Sequence, residues 1–466
     1  MSQIGTAANP LRVAIIGSGP TGFYAADHLL KQKEVTVKVD MYDRLPTPYG
    51  LVRFGVAPDH QKIKSVIKAY ERTAKQPNFR FFGYVEYGKD ITLDDLKQYY
   101  HQVIFTTGAQ SDRKMGIPGE DLTNSHPATE FVAWYNGHPS YRDYEFDLSQ
   151  ESVAVVGVGN VAMDVARILS KTVEELEETD IAEYALEALK HSKIKKIYIL
   201  GRRGPAQAAF TNPEIKELGE LADTDITVPP EEAALDPLSQ KELDKSQDRT
   251  TLKKVDIIQD YAQREPSGKS RQLILRFLVS PVELIGDEDG KVKAMRLVKN
   301  ELYETENGTL RPTPTDQIEE IPVGLIFRSV GYRGIPLPDI PFHDRWGVIH
   351  NEIGRITDPE TKQPLLGLYT AGWIKRGPTG VIGTNKPCAV ETVNFMLEDM
   401  VAGNTFTPAH PEVEAVEKFL AERQPKYVSF ADWLKLDQLE TSLGQEKGRP
   451  RIKLTSTEEI LAALGK

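Results

Sequence analysis

Short apolar runs recur along this chain, several of them followed at once by glycine and then by an amphipathic stretch. Val13-Ala14-Ile15-Ile16 runs into Gly17-Ser18-Gly19-Pro20-Thr21-Gly22, and Val153-Ala154-Val155-Val156 runs into Gly157-Val158-Gly159-Asn160-Val161-Ala162. Each pattern predicts a strand, a tight turn and a helix start. After the first turn, Phe23, Ala26, Leu29 and Leu30 stand at helical spacing over residues 22–31. A strand over 36–42 closed by Asp43, a helical stretch over 59–74, and strands over 80–86 and 102–106 complete a first α/β unit.

The pattern breaks at Gly116-Ile117-Pro118-Gly119-Glu120, which reads as a crossover. A second unit opens with the strand at Ser152 and a helix over 161–169. A charged helical insert over 173–191 delays the next strand, 195–200. Residues 231–256 are acidic and proline-punctuated, and read as a loop–helix excursion. Strands are expected over 272–279, 291–299 and 323–330. Gly331 and Gly334 mark a return crossover, and Leu368 to Gly372 is a short strand running into a glycine turn. The helix after it carries Ala389, Val393, Met396, Leu397 and Met400 on one face. The last 50 or so residues are polar with scattered apolar positions, and residues 1–9 are expected to fray. The two glycine turns are the only internal repeat.

Composition narrows the classes. The 466 residues suffice for two or three domains. A net charge of −11 argues against general nucleic-acid binding. No apolar run reaches membrane length and no cleavable leader precedes the first strand, so a cytoplasmic protein is expected. The single cysteine, Cys388, leaves no disulfide, no dithiol motif and no four-cysteine iron–sulfur site. Cys388 itself reads as a small helix residue without chemistry.

Two glycine turns of this kind, about 140 residues apart, suggest two dinucleotides on one chain. That is the arrangement needed to pass hydride from a nicotinamide to a flavin. Asp43, about 20 residues beyond Gly22, stands where an acid holds a ribose hydroxyl, so the first site should take FAD. The second unit has Arg202-Arg203 where an NAD site would carry an acid. Guanidinium forks pair well with a phosphate dianion, so the second site should take NADP(H).

Three longer runs carry a resemblance: residues 49–60 (Tyr49 to His60), residues 202–211 (Arg202 to Thr211), and residues 371–382 (Ala371 to Ile382). Together they resemble the adrenodoxin reductase family, and within it the bacterial ferredoxin–NADP reductase branch. Trp134-Tyr135-Asn136-Gly137 also matches. The resemblance covers the chain from Leu11 to at least Val401. It implies that Gly17, Gly19, Pro20, Thr21, Gly22, Asp43, Leu51, Val85, Trp373, Gly380, Val381 and Ile382 line FAD. It implies that Gly157, Gly159, Asn160, Val161, Arg202, Arg203, Glu214 and Gly380 lie along NADP(H). His60 and Glu214 would then flank the nicotinamide as the catalytic pair, and no metal is implied. Two departures stand out: Asp43 replaces the family's frequent Glu, and Asn212-Pro213 replaces the usual residues before Glu214.

The physical reading agrees. A glycine-rich turn ahead of a helix, at 377–384, can aim backbone N–H groups at the negative edge of a reduced flavin. Trp373 could pack flat on a ring or be a core aromatic. His60 could shuttle a proton or only hydrogen-bond a carbonyl. Glu214 could orient the carboxamide or face solvent. The expected architecture is α/β, two Rossmann-like domains of the glutathione-reductase type. An NADP domain at 113–330 is inserted into an FAD domain at 1–112 and 331–466. The expected activity is that of a ferredoxin–NADP(+) reductase, with hydride passing from NADPH to FAD and single electrons to a ferredoxin. The alternatives are a flavin oxidoreductase or monooxygenase with a small-molecule acceptor, or a non-catalytic FAD/NADP sensor. A monomer is expected. Arg53, Lys375, Arg376 and Lys386 are expected to form a basic rim that steers an acidic ferredoxin.

Overall fold

The computed structural model describes residues 3–466. Strands β1 (Leu11–Ile16), β2 (Val37–Asp43), β3 (Phe79–Gly83) and β4 (Gln102–Phe105) lie parallel in the order β4-β1-β2-β3. β5 (Ser111–Asp112) leaves this sheet. A second, wholly parallel sheet follows, built from β6 (Ser125–Pro127), β7 (Ser152–Val156), β8 (Lys196–Leu200), β9 (Thr224–Thr227) and β10 (Arg271–Arg276). An antiparallel three-stranded ribbon, β11 (Val279–Gly286), β12 (Val292–Glu304) and β13 (Leu310–Pro322), intervenes before its last strand, β14 (Leu325–Arg328). The order is β6-β14-β7-β8-β10-β9.

β15 (Tyr332–Arg333) pairs antiparallel with β5, so the outgoing and returning crossings lie side by side. A hairpin of β16 (Phe342–His343) and β17 (Val348–Ile349) follows. Then β18 (Asn351–Glu352), β19 (Arg355–Thr357) and β20 (Pro364–Thr370) complete the first sheet, with β20 parallel beside β4. The first sheet thus draws strands from both sides of the second, which is the expected inserted α/β arrangement.

The helices Pro20–Leu30 and Asn385–Val401 cover one face of the first sheet through Phe23, Leu29, Val393 and Met396, all at most 1 % exposed. Helix Asn160–Ser170 does the same for the second sheet with Met163, Val165 and Ile168. Strands covered in this way read as unbroken apolar runs, which is why β1 and β7 were visible in the sequence.

Several expectations change. The 59–74 stretch is two short helices, Gln61–Lys64 and Ile67–Ala74, and the 173–191 insert is likewise two, Val173–Glu177 and Glu183–Lys190. The 272–279 strand divides at Leu278, whose φ of +55° turns the chain from β10 into β11. β13 went unread because its polar, three-proline sequence lies mostly in solvent and shows no alternation. Of the expected frayed start, residues 1–2 lie outside the described residues. The rest is tied down: Gly5 N–H donates to Asn9 O at 2.8 Å and Thr36 N–H to Gly5 O at 2.7 Å.

The polar C-terminal part is no loose tail either. Helices Ala415–Arg423, Phe430–Glu446 and Thr457–Ala463 pack on the first unit, and Trp433 is 1 % exposed. Arg449 donates to Thr179 O (2.9 Å) and Ile181 O (2.6 Å), and Lys453 to Asn136 O (3.0 Å) and Arg53 O (3.3 Å). This segment therefore binds both units. No described helix is long and apolar enough to cross a membrane.

Candidate functional site

The first turn is glycine for two different reasons. Gly17 has φ +107°, and a Cβ there would meet Thr106 O at 2.8 Å; a Cβ on Gly22 would meet Gly17 O at 2.3 Å. These two let strand, turn and helix close together. A Cβ on Gly19 would meet nothing within 4 Å. Gly19 caps helix Pro20–Leu30 without any side-chain cap, so the helix presents free N–H groups over clear space, with Pro20 in its first turn. The second turn repeats the design: Gly157 (φ +133°) closes on Ser329 O, where a Cβ would lie at 2.2 Å, whereas Gly159 faces open space and caps helix Asn160–Ser170. Val161 lies in the first turn of that helix and Ala162 is fully buried. Both cradles fit a dinucleotide pyrophosphate.

Asp43 is engaged by its own turn. Its Oδ2 accepts from Ser18 N (2.9 Å) and Ser18 Oγ (2.5 Å), and its Oδ1 from Leu45 N (3.0 Å). A carboxylate offers about four lone-pair directions, so one remains for a ribose hydroxyl. Val85 N–H donates to Asp43 O at 2.9 Å, and the Val85 side chain is buried at 1 %. Val85 therefore borders the acid through its backbone.

Residues 49–54, which include the short helix Leu51–Phe54, lie on the turn: Tyr49 N–H donates to Ser18 O at 3.0 Å, and Leu51 is 43 % exposed while Val52 is buried. A Cβ on Gly372 (φ +77°) would meet Thr21 Oγ1 at 2.3 Å, so the end of β20 also reaches the turn. Gly372 N–H donates to Cys388 Sγ at 3.2 Å, which gives the lone thiol a structural role. Trp373 stacks on Tyr332 with centroids 6.0 Å apart and donates from Nε1 to Thr379 O at 3.1 Å. Gly380 (φ +79°), Val381 (52 % exposed) and the short turn Ile382–Thr384 lead into helix Asn385–Val401, which again has no side-chain cap.

At the end of β8, Arg202 and Arg203 have no ion-pair partner among the described residues. Asn300 Nδ2 donates to Arg202 O (2.9 Å) and Leu278 N–H to Arg203 O (3.1 Å), which fixes the backbone of the pair. Burial and the neighbouring Arg202 charge both lower the Arg203 pKa. Two adjacent, unmatched guanidiniums fit a phosphate dianion. Asn160 Oδ1 accepts from Thr211 N at 2.9 Å and so draws the 204–211 loop towards the second turn.

His60 and Glu214 are brought together, in a larger cluster than expected. His60 Nε2 lies 2.9 Å from Glu217 Oε2, and its Nδ1 lies 3.8 Å from Asp164 Oδ1. Arg167 donates to Glu214 Oε2 at 3.1 Å, to Asp164 Oδ1 at 2.7 Å, and in a fork to Asp59 at 2.8 and 3.1 Å. Burial and the Asp164 charge push Glu214 up to about 7, against the pull of Arg167. Asp164 is raised by burial. Asp59 is held at about 2 because the Arg167 fork outweighs its burial. Glu214 sits in the first turn of helix Asn212–Leu218. Pro213 costs no hydrogen bond in that first turn, so the unusual Asn212-Pro213 leaves Glu214 well placed. Donor atoms of His60, Glu214 and Glu217 lie within 4.8 Å of one another, but Arg167 already supplies the cation they would share.

Arg167, Asp164 and Glu217 were missed in the sequence. The signal was present: Asp164 and Arg167 are two charges three residues apart in an otherwise apolar helix. The basic rim needs correction. Arg53 is 4 % exposed and forked onto Glu440, and Lys375 is paired with Glu391 at 2.5 Å. Arg376 bonds Thr379 O at 2.7 Å and Asn385 Oδ1 at 3.0 Å. Lys386 alone of the four is exposed with no ion pair among the described residues.

Two largely parallel sheets, each with a glycine turn at a bare helix N-terminus, joined by one acid–base cluster, define a flavin- and NADP(H)-dependent oxidoreductase. Residues 11–199 match the family model described as pyridine nucleotide-disulphide oxidoreductase. The chain is 45 % identical over 454 residues to NADPH-ferredoxin reductase FprA of Mycobacterium leprae, covering 96 % of this chain and 97 % of that one. It is 40 % identical over 467 residues to the human mitochondrial NADPH:adrenodoxin oxidoreductase, covering 97 % and 92 %. The solved structure of Mycobacterium tuberculosis FprA in complex with NADPH superposes with a TM-score of 0.91 at 43 % identity, over 98 % of this chain and all of that one. The chain belongs to the adrenodoxin reductase family.

Proposed function

We infer that this protein is an FAD-dependent ferredoxin–NADP(+) reductase: hydride passes from NADPH to FAD, then single electrons pass to a ferredoxin, reversibly in principle. One observation carries the reading. His60 from the first unit and Glu214 from the second meet around Arg167, so two nucleotide-binding units share one acid–base site. FAD, when bound, supplies the exchange of one hydride for two single electrons.

The chain's own residues bind and align. Gly17 to Gly22, Asp43, Leu51, the backbone at Val85, Trp373 and Gly380 to Ile382 hold FAD. Gly157 to Val161 receive the NADP pyrophosphate, and Arg202 and Arg203 its ribose phosphate. Glu214 positions the carboxamide, and Glu214 and His60 hold a proton beside it. Hydride transfer needs no protein nucleophile, and a chain with one cysteine has no dithiol to relay electrons. The FAD unit comprises 1–112 and 331–466, and the NADP unit 113–330. The protein works as a cytoplasmic monomer, and the ferredoxin is its partner.

Anaerobic mixing with NADPH tests the reading. The flavin should bleach within seconds and recover when oxidised ferredoxin is added. A flavin that NADPH does not bleach would make the protein a sensor, and recovery only with a small-molecule acceptor would make it another kind of oxidoreductase.

A further inference from the structure

We propose that Arg167 is a positioning residue of the hydride site, holding Asp59 and His60 of one unit against Asp164 and Glu214 of the other. The inference rests on the reductase reading above. Arg167 lies on helix Asn160–Ser170, only 2 % of its side chain is exposed, and each of its three nitrogens is used. Nε and Nη2 fork onto Asp59 at 2.8 and 3.1 Å; Nη2 also reaches Asp164 at 2.7 Å and His60 Nδ1 at 3.5 Å. Nη1 reaches Glu214 at 3.1 Å and Glu217 at 3.6 Å. Only a guanidinium offers five donors in a rigid plane; a lysine would bring one point charge.

Two consequences follow. Asp59 precedes His60 in the chain, so the fork anchors the peptide that carries the imidazole, and the imidazole's other nitrogen is held by Glu217. The cluster also holds more acid than base. Four carboxylates, Asp59, Asp164, Glu214 and Glu217, face Arg167, His60 and Lys171, and Lys171 is shared with Glu175. The buried Tyr135 hydroxyl, close enough to Asp164 and Arg167 to feel both charges, has no hydrogen-bond partner among the described residues. With acids in excess, the cluster retains a proton on Glu214 or Asp164, and Arg167 sets how tightly. A buried ion pair that only joins the two units would support the fold without acting on this proton.

The test uses the FAD-loaded protein with Arg167→Lys and Arg167→Gln, from about pH 6 to about pH 9. Both should keep FAD and reduce it roughly ten- to a hundred-fold more slowly at saturating NADPH. NADP+ binding by calorimetry, which involves no turnover, gives the second readout through proton uptake in buffers of different ionisation enthalpy. In Arg167→Gln the midpoint of that uptake should rise by about one pH unit or more, because the cation opposing protonation is gone. Arg167→Lys should keep the midpoint near that of the parent while losing the rate. Asp59→Asn provides the same rate test if Arg167→Gln does not fold, since it releases the anchor of His60 without removing a buried cation. Unchanged midpoints together with losses of rate that only follow thermal stability would overturn the proposal, as would parental rates in Arg167→Lys and Asp59→Asn. A parent protein that NADPH does not reduce would overturn the reductase reading, and the inference with it.

Discussion

Arg53 and Glu440, 387 positions apart, form a buried fork-to-fork ion pair with N–O distances of 2.6 and 2.9 Å. The pair fastens helix Phe430–Glu446 to the short helix Leu51–Phe54, whose preceding Tyr49 lies on the first glycine turn. Glu440 also accepts from Leu454 N–H at 3.0 Å and from Arg451 at 3.2 Å, so the C-terminal part braces the expected flavin side. Glu440→Gln leaves Arg53 charged and half-paired in the interior. Breaking such a pair costs about 3–5 kcal/mol. A clear fall in Tm is expected, with FAD released below the unfolding transition; flavin fluorescence on heating checks it.

Replacing Arg202 and Arg203 together with Ala should weaken NADPH far more than NADH. Each charged hydrogen bond to phosphate contributes roughly 1.5–3 kcal/mol, and 1.4 kcal/mol is about a factor of ten. The ratio of kcat/KM for the two cofactors should thus fall at least about tenfold per arginine. An unchanged ratio would show that the pair does not read the phosphate.

Glu214→Ala and His60→Ala should slow flavin reduction without removing FAD, as stopped-flow traces at saturating NADPH would reveal. The pH dependence carries more. Glu214 is raised to about 7 chiefly by burial, so the folded protein binds its proton more tightly than the unfolded chain. Its protonation therefore favours folding below about 7, and that contribution is lost as pH rises from its ordinary value of 4.5 through 7. Glu214→Gln should flatten this slope in a pH series of unfolding curves and remove a rate limb near 7. A slope and limb identical to those of the parent would refute both.

Asp43→Ala should loosen FAD. The turn loses its acceptor for Ser18 and Leu45, and the ribose loses its acid. With charged hydrogen bonds contributing about 1.5–3 kcal/mol each, FAD affinity should fall at least about tenfold, measurable by fluorescence titration of the apoprotein. Asp43→Glu, which restores the longer arm frequent in the family, should bind FAD at least as tightly as the parent.

What the sequence determined alone was local. The glycine turns are legible because Gly17 and Gly157 must take φ values that side chains rarely allow, and because the apolar runs beside them must be covered on both faces. Asp43, Arg202 and Arg203 stand out as candidates because each lies at a strand end at a set distance past its glycine turn. What tertiary structure decided was which charges meet. The sequence shows Arg53 and Lys375 only as cations beside motifs, and cations are usually at the surface; Glu440 and Glu391 bury or neutralise them. Arg167 reads as half of an i,i+3 charge pair with Asp164 in an apolar helix until Asp59, 108 residues earlier, and Glu214, 47 residues later, close on it. Burial and ion pairing depend on neighbours brought together by the fold, and no spacing along a single chain specifies them.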